Sequence, residues 1–132
     1  MKSLNANAFE GFFFILQKMN ISRHGIIDYI KIDIGDFMDN QLISAREVDR
    51  YAFKNEYVII DIRSPREYRE RHIKGAVCIP YDRLTQQAYL LRHRTLILYC
   101  DRGGLSLKAA KELNELGYQA MSVVGGIEAY FH

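Results

Sequence analysis

The sequence predicts an α/β domain whose sheet is largely parallel. Two observations predict it. Apolar runs of strand length recur at 57–62, 75–79, 96–99 and 120–124, several of them rich in β-branched residues. Such runs suit strands buried on both faces. Helix signals alternate with these runs across short spacers, as parallel strands joined by helical crossovers require.

Each element has its own local cause. Ser44 followed by Glu47 reads as a capping box ahead of Val48, Tyr51 and Ala52. The run Tyr57, Val58, Ile59, Ile60, Asp61, Ile62 is the first buried strand. Ser64 then offers an N-cap, Pro65 suits the first helical position, and Glu67 completes a second capping box. The strand at 75–79 stops at Pro80, and Asp82 is placed to cap a helix carrying Leu84, Ala88 and Leu91. After the strand at 96–99, Ala109, Leu113 and Leu116 repeat at helical spacing, and Gly117 is a natural stop. The strand at 120–124 turns through Gly125 and Gly126 into a short helix with Ile127, Tyr130 and Phe131.

The chain changes character near Asn40. Phe9, Phe12, Phe13 and Leu16 share one helical face, although Gly11 weakens that helix by about 1 kcal/mol relative to Ala. Ile30, Ile32 and Ile34 alternate with Lys31, Asp33 and Gly35 as in a strand. Residues 1–40 are therefore expected to form an extension of helix plus strand, packed on a domain at 41–132. An exposed apolar face there would instead serve self-association, as in a homodimer.

Composition narrows the function. A chain of 132 residues with 48% hydrophobic and 26% charged residues is long enough for one domain with its own core. A formal net charge of +2 gives no electrostatic footprint for nucleic acid. Two cysteines are too few for a disulfide scaffold and fit reduced thiols. The apolar run at 12–16 is far shorter than the roughly 20 residues of a spanning helix. No signal-peptide pattern is present, so a soluble, cytoplasmic protein without stable membrane insertion is expected. His24, His72, His93 and His132 show no metal-ligand spacing with the cysteines, and no cofactor motif is found.

Chemistry is concentrated after the strand at 96–99. Cys100 closes that strand, and Asp101, Arg102, Gly103, Gly104, Leu105 and Ser106 lead into a helix. Two glycines let the backbone curl so that its N–H groups point inward. The helix N-terminus adds about half a positive charge. Together they form a cradle for an anion: the thiolate, a persulfide or a bound oxyanion. The plain alternative for Cys100 is a small buried hydrophobe.

Four separated stretches resemble the single-domain rhodaneses, a sulfurtransferase family. They are the aliphatic strand with Asp61, Arg63, Glu67 and Tyr68; the stretch His72, Ile73, Gly75, Ala76, Ile79, Pro80; Tyr99 and Cys100 with their loop; and Gly117, Tyr118 with the closing Gly125, Gly126, Ile127 and Tyr130. The resemblance runs from about Gln41 to Phe131. It implies a rhodanese-like three-layer fold, with a central parallel sheet of about five strands flanked by helices. It implies that Cys100 takes sulfane sulfur from thiosulfate, a polysulfide or a protein persulfide, becomes a persulfide, and passes the outer sulfur to a thiol or other nucleophile. The donor and acceptor would be the partners. Asp61 and Arg63 would form a supporting salt bridge, and His72 a structural hydrogen bond.

The loop departs from the family pattern. Many thiosulfate-using members carry Arg five places after the cysteine, where Leu105 stands here. Leu105 removes a fork-shaped anion binder, and an inward-pointing Asp101 would oppose a thiolate. Weak thiosulfate activity is the expectation, unless Arg102 compensates. Two other functions compete with this reading. A cysteine phosphatase or arsenate reductase would need Arg six places on, where Ser106 stands. A non-catalytic binding or regulatory module would not need Cys100. Cys78 reads as a small strand residue, or as a resolving thiol for Cys100.

Overall fold

The computed structural model describes residues 41–132. The helix, strand and self-association surface expected within 1–40 lie outside the described residues. Leu42–Ser44 forms β1, and Val48–Tyr51 a single 3-10 turn. Tyr57–Asp61 is β2, Pro65–Glu70 is α1, and Val77–Cys78 is β3. Tyr81–Ala88 is α2, continued by a 3-10 turn over Tyr89–Leu91. Thr95–Tyr99 is β4, Gly104–Glu115 is α3, Gln119–Val124 is β5 and Gly126–Tyr130 is α4.

The five strands lie in the order β1-β5-β4-β2-β3, and every pairing is parallel. Strand alternation sorts the core into two layers. Val58, Ile60, Leu96, Leu98 and Ala120 face α2 and α3, meeting Leu84, Ala88, Ala109, Ala110 and Leu113. Ile59, Ile97 and Val123 face the other side, meeting Val48, Ile73 and Ile127, with Tyr68 of α1 packed against them. Each fully buried Ile or Leu in these layers contributes about 1.5–3 kcal/mol relative to exposure. This is the α/β three-layer fold the sequence predicts. β4 sits in the centre of the sheet, so whatever follows it emerges at the middle of the carboxyl edge, where parallel sheets place their ligands.

Ser64 caps α1 as read from the sequence, its Oγ accepting the Glu67 N–H at 3.2 Å. Three details differ. Ser44 does not open a helix: it ends β1, its Oγ accepts the Arg46 N–H at 3.3 Å, and only the short 3-10 turn follows. α2 has Pro80 at its cap, and Asp82 lies in its first turn without capping it. The strand at 75–79 shortens to Val77–Cys78, because β3 pairs with β2 only at Ile60 and Asp61. Among the described residues, no helix is long and apolar enough to cross a membrane.

The register also separates the two cysteines. Asp61 pairs with Cys78 on one side and Tyr99 on the other. Cys78 is thus two strand spacings from Tyr99, about 9–10 Å, and Cys100 turns to the opposite face from Tyr99. A disulfide needs Cα atoms within about 7 Å. The geometry gives Cys78 no resolving role. Its sulfur lies 3.9 Å from the Arg63 carbonyl, and burial and the Asp61 carboxylate push its thiol up. Peroxide treatment is expected to leave wild type without a Cys78–Cys100 bridge. Non-reducing peptide mapping of wild type against Cys78→Ser checks this, and a bridge present only in wild type would refute it.

Candidate active site

Cys100 follows β4 directly and is 6% exposed. The chain then bends through Asp101 and Arg102 to Gly103, which is left-handed at φ +105° and caps α3. That conformation favours glycine. It turns two backbone donors onto the sulfur. The Gly103 N–H donates to Cys100 Sγ at 3.2 Å, and the Ser106 N–H, in the first turn of α3, donates at 3.4 Å. The thiol in turn donates to Ser106 Oγ at 3.5 Å. The sulfur therefore takes the place of a capping acceptor at the positive end of a 12-residue helix. Donors aimed at a sulfur in this way stabilise negative charge on it.

The loop is held from behind by α4. The Ile127 N–H donates to the Cys100 carbonyl at 2.9 Å, and the Glu128 N–H to the Asp101 carbonyl at 3.1 Å. In a trans peptide the N–H points opposite to the preceding C=O. Turning these two carbonyls toward α4 therefore turns the Asp101 and Arg102 amides the other way. Gly126 makes the approach possible. It is left-handed at φ +59°, and a Cβ there would fall inside contact distance of the Cys100 and Asp101 carbonyl oxygens.

A buried ion pair stands beside the loop. Asp61, 0% exposed, accepts from Arg63 Nη2 at 2.7 Å, Arg63 Nε at 3.0 Å, the Arg63 backbone N–H at 2.9 Å and the Tyr99 hydroxyl at 2.8 Å. Arg63 Nη2 also donates to the Arg71 carbonyl at 2.7 Å, and Tyr99 Oη accepts the Ile73 N–H at 3.0 Å. Burial works against the Arg63 charge, but the hydrogen bonds and charge of Asp61 outweigh it and hold the guanidinium above its ordinary value. Burial, joined by Asp61, pushes the Tyr99 hydroxyl up, so it remains a donor. A buried charge pair is tolerable only when satisfied in this way.

The expected salt bridge between Asp61 and Arg63 is therefore present. The Asp101 side chain does not take the inward position considered above: it is 61% exposed, and its Oδ1 lies 3.6 Å from Arg63 Nη1. Arg102 is exposed on the loop, and the remaining expected loop residues belong to the first turn of α3, where Gly104 and Leu105 are exposed and Ser106 is fully buried. His72 is exposed, with its Nδ1 2.8 Å from the Tyr68 carbonyl and its ring stacked on Tyr68. Three contributors were missed from the sequence. Tyr99 and Gly126 fall within the family-like stretches of the sequence, but no role in the site is assigned to them there. Ser122 on β5 meets Ser106 Oγ at 2.7 Å, and its one signal is a hydroxyl in an inward strand position. A separate cleft of about 700 Å³ opens past Arg63, Cys78 and Tyr81, and Cys100 does not line it. Among the described residues, no three His, Cys, Asp or Glu side chains group so as to hold a metal ion.

The family model for the rhodanese-like domain matches residues 44–132. The chain belongs to the rhodanese-like family. This rhodanese-like chain is 38% identical over 96 residues to a tRNA sulfurtransferase of Shewanella loihica, covering 69% of this chain and 19% of that one. It is 32% identical over 72 residues to the thiosulfate sulfurtransferase PspE of Escherichia coli, covering 52% of this chain and 69% of PspE. Among solved structures, a rhodanese-related protein from Thermoplasma volcanium superposes with a TM-score of 0.61 at 26% identity, covering 69% of this chain and 90% of that one. The chain spans about a fifth of the length of the tRNA sulfurtransferases it matches.

Two substitutions test the supports of this site. Asp61→Ala removes the buried partner of Arg63 and leaves it only the exposed Asp101 carboxylate at 3.6 Å, and is expected to cost about 3 kcal/mol in urea unfolding. Gly126→Ala forces the loop off α4. In a Cys78→Ser background it is expected to slow alkylation of Cys100 at least several-fold, read by intact mass, while the chain remains folded by circular dichroism. Wild-type stability in the first, or a wild-type alkylation rate in the second, would refute the corresponding assignment.

Proposed function

We propose that the protein is a sulfurtransferase that carries sulfane sulfur on Cys100. The observation that supports this reading is the convergence of the Gly103 and Ser106 amides on Cys100 Sγ at the end of β4. The thiolate attacks the outer sulfur of the donor. The donor's S–S bond breaks, and its electron pair leaves with the donor remnant, which is sulfite when the donor is thiosulfate. The new persulfide bears the negative charge, and the loop amides are placed to stabilise it. An acceptor thiolate then attacks the outer sulfur, and the electron pair of the breaking bond returns to Cys100.

The loop bears on the choice of donor. Leu105 is 41% exposed where thiosulfate-using members carry Arg. A dianion therefore loses a bidentate partner there. The structure gives Asp101 to Arg63, which leaves Arg102 as the cation within the loop itself. A protein persulfide or a monoanionic polysulfide demands less charge neutralisation than dianionic thiosulfate, and one of these is the proposed donor. Relatives named tRNA sulfurtransferase and thiosulfate sulfurtransferase support a sulfur-handling role. Because this chain matches about a fifth of the former, only the sulfur-carrying step is proposed, with a thiol as acceptor.

Incubation with polysulfide is expected to add one sulfur atom to Cys100, seen by mass spectrometry and absent in Cys100→Ser. No such species under any donor would overturn the reading in favour of a binding module. For thiosulfate, Leu105→Arg is expected to raise kcat/KM by roughly tenfold, the worth of one charge-assisted pair. Full wild-type activity with thiosulfate that survives Arg102→Ala would refute the electrostatic argument about the donor.

A further inference from the structure

Behind Cys100 lies a hydroxyl pair that the proposed reaction has not yet used. Strand alternation puts Ser122 on the same face of the sheet as Ala120, under α3, and its register partner on β4 is Leu98. Ser122 is 1% exposed and Ser106 is 0% exposed. Their Oγ atoms are 2.7 Å apart. Ser106 Oγ also lies 3.2 Å from the Gly103 carbonyl and 3.5 Å from Cys100 Sγ.

Either hydroxyl of the Ser106–Ser122 pair can donate to the other, and the proton count limits how the remaining bonds run. A hydroxyl has one proton to give and two lone pairs to fill. The Gly103 carbonyl can only accept, so that contact uses the Ser106 proton. In that arrangement the thiol and the Ser122 hydroxyl both donate to Ser106 Oγ. Every donor in the cluster is placed, and both lone pairs of Ser106 are filled. When the thiol loses its proton, or carries an anionic persulfide, the sulfur needs a donor and Ser106 loses one. The Ser106 O–H can then turn from the carbonyl to the sulfur. The Gly103 carbonyl keeps the Leu107 N–H, which donates at 3.0 Å. Ser122 continues to donate throughout.

We propose that Ser122 is a positioning residue for the Cys100 sulfur. Its hydroxyl holds Ser106 Oγ in place and fills a lone pair, which leaves the Ser106 proton free to serve the sulfur in its anionic state. The reading deepens the proposed sulfur-carrying role and rests on it only for its kinetic consequence. The effect on the thiol itself stands apart from sulfur transfer.

The test uses the full chain in a Cys78→Ser background, so that alkylation by iodoacetamide reports Cys100 alone. Ser122→Ala is expected to slow that alkylation about three- to tenfold, the scale of one hydrogen bond relayed to a charged group. In sulfur transfer it should lower kcat by a similar factor and leave KM unchanged. Ser122→Thr, which keeps the hydroxyl, should restore most of both. In a Ser106→Ala background, Ser122→Ala should add little, because the relay is already cut. Wild-type alkylation in Ser122→Ala, or an undiminished effect of that change without the Ser106 hydroxyl, would overturn the proposal. If alkylation responds as stated but no sulfur is carried, Ser122 keeps its place and the sulfurtransferase reading falls.

Discussion

The site depends on two backbone hydrogen bonds that run from the first turn of α4 to the carbonyls of Cys100 and Asp101. They contain no side chain, yet they decide which way the loop peptides face. A peptide plane has two polar edges, and pinning one aims the other. Gly126 permits this approach through the absence of a side chain and a left-handed backbone. The rhodanese-like site is thus assembled by elements far apart in sequence: a central strand supplies the sulfur, α3 its donors, and the closing turn the anchor.

The Asp61 network plays a matching part on the other side of the sheet. Through Tyr99 it ties β2 to β4 just before the cysteine, and through Arg63 it reaches the carbonyl of Arg71 and the exposed carboxylate of Asp101. An ion pair buried this deeply contributes little net stability compared with an apolar core of the same shape. Its effect is on specificity of position: the end of β2, the end of β4 and the chain leaving α1 share one hydrogen-bonded centre. The residue next to Tyr99 cannot shift along the strand without breaking that centre.

Much of this was legible in the sequence because it is written in periodicity. β2, β4, β5 and α3 are long enough to show their apolar pattern, and the Ser64 cap follows from local chemistry. The order strand, Cys100, glycine loop, helix pointed to the cradle. β1 was not legible: at three residues it is too short to display alternation, and it exists because β5 offers an edge to pair with. Ser122 was not legible as a site residue, and the roles of Tyr99 and Gly126 within their family-like stretches were not legible, for a related reason. Their contributions are contacts across the sheet or between termini of elements, and no spacing along the chain encodes those. The orientation of Asp101 was open in the sequence, because adjacency along the chain says nothing about which neighbour a side chain turns to.

The recessed position of Cys100 has a consequence for what a visiting molecule meets. The bare sulfur is nearly flush with the protein, at 6% exposure. Adding a second sulfur lengthens the side chain by about 2 Å. The socket would then shelter the atom bonded to carbon and present the newcomer at its mouth. Loading would convert a guarded thiol into an offered one, so that the cargo alone stands within reach of the next nucleophile.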